Sequence, residues 1–220
     1  MTPTLMVALT LAVLFVAALV KSTLGFGESL IAIPLLTLVL GIQAAAPLVS
    51  MMAGLLTAVI VLQNWQRMNF TTTWQLIIAA IIGVPVGVWG LRTLPEAWLT
   101  MVLGILLVAI GIYYLAKPAL GALHGSRWAS LFGFVSGVFG GAYNMASPPV
   151  VVYGAMRRWS PEQFRVMLQG FFLPISIMIL ISQAAAGLWT QWVLQLFLLS
   201  LPVVIVAYWL GSRFNRTMST

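Results

Sequence analysis

Five residues able to handle an ion fall within nine consecutive positions: Lys21, Ser22, Thr23, Glu28 and Ser29. Gly25 and Gly27 stand between them, and long apolar runs lie on both sides. A lysine with neighbouring hydroxyls can hold an anion, and a carboxylate seven residues on can pair with it or carry a proton. The chain has only three acidic residues, all glutamates. Ionisable groups inside apolar segments are costly to bury, so their presence there points to function. A second, neutral constellation follows in Phe139–Val150, where Gly140, Gly141, Asn144 and Ser147 precede Pro148-Pro149.

Each candidate carries two readings. Lys21 is a counter-charge for an oxyanion beside Ser22 and Thr23, or an anchor reaching the membrane surface. Glu28 pairs with Lys21, carries a coupling proton, or caps the helix that follows; low-dielectric surroundings favour proton uptake by a carboxylate. Gly25, Gly27, Gly140 and Gly141 let a backbone approach a ligand closely. The Gly133, Gly137, Gly141 series equally suits helix packing. Ser29, Asn144 and Ser147 offer neutral hydrogen bonds. Gln169 can join them, although it and Gln183 also suit bonds between helices. His124 falls in a connection.

These residues need a scaffold, and the composition restricts it. Of 220 residues, 62% are hydrophobic and 6% charged; a soluble domain carries about 25% charged residues. The chain is therefore expected to be an all-α polytopic membrane protein with the lipid bilayer as a partner. Apolar runs fall at 4–20, 29–41, 44–63, 74–91, 98–116, 128–142, 148–156, 166–187 and 192–211. Several reach the roughly 20 residues that cross a bilayer, while 29–41 and 148–156 are short enough to be re-entrant. Thr93–Glu96 and Ser160–Gln163 read as capping boxes. No basic residue precedes Lys21, so the first run reads as a retained helix rather than a signal peptide.

Alternating the runs across a membrane puts nine basic residues on one side and Arg92 alone on the other. The positive-inside rule makes the richer side cytoplasmic, with the N-terminus outside and the C-terminus cytoplasmic. Tryptophans at run ends, Trp65, Trp74, Trp98, Trp128, Trp159, Trp189 and Trp192, fit an aromatic belt. The net charge of +7 is spread over short connections, with no basic stripe for nucleic acid.

Gly25 and Pro34 align with Gly140 and Pro149. Five runs separate the two copies, an odd number, so they enter the membrane from opposite sides. We expect two inverted repeats, each beginning with a Gly/Pro-broken helix pair or re-entrant hairpin: 1–116, then a cytoplasmic connection 117–127, then 128–220, lacking a final helix. Such repeats with broken helices are the mark of secondary transporters, whose site lies at the repeat interface. Half-helix N-termini there suit an anion.

Gly25-Phe26-Gly27-Glu28-Ser29-Leu30-Ile31-Ala32-Ile33-Pro34-Leu35-Leu36 resembles the first signature of the sulfite exporter TauE/SafE family, and Gly137-Val138-Phe139-Gly140-Gly141 through Pro148-Pro149 resembles its second. Glu28 and Ser29 stand where many members of that family have small or apolar residues. The resemblance covers nearly the whole chain. It implies a secondary transporter of the cell membrane that exports sulfite or organosulfonates and needs no cofactor. A passive channel, or a carrier of another small organic anion, is compatible with the same residues, as is a homo-oligomer. An enzyme fits less well: with one His, no Cys and no Asp, neither a metal site nor a Ser-His-Asp triad can be assembled.

Overall fold

The protein is described by a computed structural model covering residues 2–64, 74–116, 123 and 127–218. Side chains at 63, 64, 127, 161, 162, 165, 166, 169 and 215–218 are outside that description. The described residues form nine helices and no strand: α1 (Pro3–Leu24), α2 (Glu28–Leu40), α3 (Ile42–Asn64), α4 (Trp74–Thr93), α5 (Glu96–Ala116), α6 (Arg127–Tyr143), α7 (Ser147–Met156), α8 (Pro161–Ala185) and α9 (Gln191–Met218). Each apolar run became one helix. Five of them, α1, α3, α4, α5 and α9, are long and apolar enough to cross a bilayer. Large apolar side chains such as Leu38, Ile105, Val108, Leu115, Leu198 and Ile205 are exposed, as expected where lipid rather than water is the solvent. The chain is a polytopic membrane protein.

Helix ends follow from local chemistry. Gly25 ends α1 in the left-handed conformation, its N–H returning to the Lys21 carbonyl. Ser160 starts α8 with a complete capping box: its hydroxyl accepts from the Gln163 N–H, and the Gln163 side chain accepts from the Ser160 N–H. The box expected at Thr93–Glu96 does not form. Thr93 remains helical and donates to the Trp89 carbonyl, while the Glu96 carboxylate accepts from the Ile42 N–H at 2.8 Å. Glu96 thus caps α3, a helix 54 residues away in sequence. The α3 N-terminus, with its unpaired N–H groups, is the stronger attraction for a carboxylate.

Two helix pairs dominate the packing: α4 lies along α6, and α9 along α1. The first is a backbone-to-backbone contact. A Cβ at Gly83, Gly87, Gly133, Gly137 or Gly141 would strike a carbonyl oxygen of the facing helix, so the small residues set the interhelical distance. In the second pair, Gly211 of α9 lies against Ser22 and the Leu19 carbonyl of α1. Helices α3 and α8 pack together, and Met52, Phe171 and Ile175 are buried in one core with Leu14, Ile33 and Leu36. Ser50 of α3 and Gln183 of α8 are hydrogen-bonded in this core. Helix α5 is peripheral, with only Leu99 and Leu103 buried.

Trp74, Trp98, Trp128, Trp189 and Trp192 are exposed near helix ends. Trp65, Arg67, Lys117 and His124 lie outside the described residues, as do the side chains of Arg127, Glu162, Arg165 and Arg216.

Candidate functional site

The first break is Gly25-Phe26-Gly27, between α1 and α2. Its two glycines have φ of 86° and 93°, a region costly for residues bearing a Cβ. The turn reverses the chain tightly enough to bring the end of α1 back onto the start of α2. Lys21 Nζ consequently donates to Glu28 Oε1 at 2.5 Å. Both side chains are buried, at 5% and 8% exposure. Lys21 is therefore an internal cation and not a surface anchor.

The second break is Asn144-Met145-Ala146, between α6 and α7. Here Asn144 takes the left-handed conformation with φ of 52°, which asparagine tolerates better than most residues. Its N–H bonds to the Gly140 carbonyl, and the Met145 N–H to that of Phe139. Prolines at 148 and 149 follow in the first turn of α7, where their missing N–H groups cost least.

The two breaks meet. Asn144 Nδ2 donates to Ser29 Oγ at 3.1 Å, across 115 residues of sequence. Around this contact lies a small cavity lined by Lys21, Glu28 and Ser29 from the first half and by Asn144, Ser147 and Ser176 from the second. Phe26, Ala53, Ala146, Phe172, Ile175 and Ile179 complete its wall. A water-sized centre has only about 20 Å³ to move in, enough for about one water. Any larger ligand requires its walls to move apart.

Of the residues singled out in the sequence, Lys21, Glu28, Ser29, Asn144 and Ser147 line this cavity. Ser22 and Thr23 are placed otherwise. Their hydroxyls donate to carbonyls of their own helix, Ser22 to Ala18 and Thr23 to Leu19 and Val20. Gly25 and Gly27 shape the turn. Gly141 packs on Val84 of α4, and Gly140 lies against Ala146 and Ile179, which belong to the cavity wall. The Gln169 side chain lies outside the described residues.

Ser176 and Phe172 were not anticipated from the sequence. A usable signal existed in Pro174, which interrupts the hydrogen-bond ladder of α8 between them.

The arrangement offers one buried cation already engaged by a carboxylate, with hydroxyl and amide groups around the pair. It can take up an anion or a proton. A family model described as sulfite exporter TauE/SafE matches residues 10–220. No curated protein and no solved structure matches the chain.

Proposed function

Because the chain belongs to the sulfite exporter TauE/SafE family, we propose that it moves small sulfur-containing anions, sulfite or organosulfonates, out of the cell as a secondary transporter. The observation that carries this reading is the buried Lys21–Glu28 pair at the place where both helix breaks meet. Lys21 supplies the counter-charge for the anion. Ser29, Asn144, Ser147 and Ser176 supply neutral hydrogen bonds, and Glu28 carries the coupling proton.

The same reading makes 1–116 and 128–220 two inverted repeats joined by 117–127. It is supported by an exchange in the packing: the fourth helix of each repeat, α4 or α9, lies along the first helix of the other, α6 or α1. The Ser29–Asn144 contact supports it too, since residues equivalent under a two-fold axis can touch only near that axis. Rocking of one repeat against the other would open the cavity to each side in turn. Its small closed volume favours a carrier over an open pore. The cavity wall holds no His among its described residues, and the chain has neither Cys nor Asp, which favours transport over catalysis. The excess of Lys and Arg in alternate connections favours a plasma-membrane orientation with the N-terminus outside and the C-terminus in the cytoplasm.

The test is flux in proteoliposomes, with sulfite, sulfoacetate, thiosulfate and sulfate, with and without a pH gradient. Protein-dependent flux of a sulfur anion is expected. Flux equal to that of protein-free vesicles for all four would end the reading.

A further inference from the structure

The Lys21–Glu28 pair also constrains the charge of what can bind. This step rests on the transporter reading above and concerns the same cavity. Lys21 has three N–H donors, and Glu28 is its one acceptor among the described residues. Among the described residues no other ionisable side chain lines the cavity. Among the described residues, the elements packed around it add no further charge at this point. Helix α3 has no ionisable residue. On α5, Glu96 is committed to the Ile42 N–H and Tyr113 and Tyr114 pair with each other. On α9, the Arg213 guanidinium stacks over Trp209, and Tyr208 is not part of the cavity wall. The linings from the second break, Asn144 and Ala146, and from α7 and α8 are neutral. The described lining of the site therefore carries one ammonium and one carboxylate, which sum to zero.

Net charge in a closed, low-dielectric site is strongly disfavoured, and a buried ion left without its partner is the costly case. A monoanion entering alone would bring the sum to minus one and would face Glu28 across Lys21. A monoanion entering with one proton, taken up by the Glu28 carboxylate from solvent, restores zero: Lys21 keeps its ammonium, Glu28 becomes a neutral acid, and the anion takes the carboxylate's place. A dianion entering with that same proton still leaves minus one.

We propose that Glu28 is a built-in stand-in for the substrate, and that the site binds a monoanion of the hydrogensulfite or organosulfonate type together with one proton. Dianions such as sulfate are discriminated against by their second charge. Binding of the anion and of the proton is then reciprocal, each tightening the other by the same factor.

The experiment uses the full chain in detergent with methanesulfonate as the monoanion and sulfate as a dianion of similar size. For the unaltered protein, methanesulfonate affinity should rise about tenfold for each unit fall in pH while Glu28 is ionised, then level off. One proton should be taken up from weakly buffered solution per anion bound. In Glu28→Gln, methanesulfonate should bind with a pH-independent affinity near the low-pH limit of the unaltered protein. Sulfate should bind at least about tenfold more weakly, because its second charge stays uncompensated. Methanesulfonate affinity that is flat with pH, no proton uptake, or sulfate binding as tight as methanesulfonate would each overturn the proposal. The pH and proton-uptake measurements need no variant, so a poorly folding Glu28→Gln does not remove the test. Flux in proteoliposomes with pH-independent binding would sink this inference and leave the transporter reading standing; absence of all flux would sink the transporter reading itself.

Discussion

The two helix breaks solve one geometrical problem with different chemistry. At the first, two glycines in positive φ turn the chain and a charged pair bridges the turn. At the second, a single left-handed asparagine suffices and all the bridging groups are neutral. Counting 115 residues on from Lys21 and Glu28 gives Ser136 and Tyr143. Ser136 donates to the Ala146 carbonyl, and Tyr143 donates to the Leu99 carbonyl at 3.1 Å. These neutral counterparts are committed to backbone groups that cannot leave. Among the described residues the Lys21 and Glu28 side chains are committed only to each other, and a ligand or a proton can separate them. On the proposed transporter reading the second break is then a fixed wall, and the first is the part that exchanges partners.

Breaking the exchangeable side should have the largest effect. Lys21→Ala strands a buried carboxylate, so we expect a loss of about 3–5 kcal/mol in stability and transport at the background level. Thermal unfolding in detergent and vesicle flux measure the two. Lys21→Ala/Glu28→Ala should regain most of the stability and none of the transport. An unfolding curve for Lys21→Ala that matches the unaltered protein would show that Glu28 does not depend on Lys21.

Glu28→Gln separates coupling from binding. Transport driven by a pH gradient should disappear while exchange of one sulfur anion for another continues, as read by counterflow of labelled sulfite. PH coupling that survives in this variant would remove Glu28 from the mechanism.

The turn itself gives a smaller effect. Gly27→Ala forces a side chain into φ of 93°, at a cost of about 1–2 kcal/mol. A Cβ there meets nothing within 4 Å, so the loss would be conformational and not steric. Asn144→Gly needs no such strain and loses only the side-chain hydrogen bond to Ser29, so it should change stability by about 1 kcal/mol or less. Equal losses at the two positions would erase the distinction between the turns.

Tyr143→Phe should be the mildest. It removes one hydrogen bond to the Leu99 carbonyl, worth about 1 kcal/mol, and should leave anion flux unchanged. A loss of flux would mean that the wall takes part in exchange after all.

Much of this contrast is legible in the chain itself. The nine apolar runs correspond to the nine helices among the described residues because, in lipid, every backbone polar group must be satisfied within its own segment. The packing use of Gly133, Gly137 and Gly141 was visible in their spacing, and so was the cap at Ser160. Glu96 was misread because its true partner, the Ile42 N–H, lies 54 residues back, and a local motif cannot report a distant helix end. Ser22 and Thr23 were grouped with Lys21 by proximity in sequence. On a helix, however, adjacent positions face different ways, and only Lys21 points into the cavity.

The sequence by itself determined that this is a membrane protein of many helices, interrupted twice by glycine, asparagine and proline, with its rare charges at one interruption. Those facts depend on residue type and local backbone preference, which act over a few positions. Only the tertiary structure decided which polar groups share a cavity. Ser29 meets Asn144 across 115 residues, and Ser176 joins them from a helix whose sequence carries no charge nearby. The pairing of Lys21 with Glu28 needed the turn at Gly25 and Gly27 and the surrounding helices that exclude water from it. Long-range contacts are set by how helices pack, and helix packing is set by the fit of small residues such as Gly137 against Ala80, a property of two segments together and not of either alone.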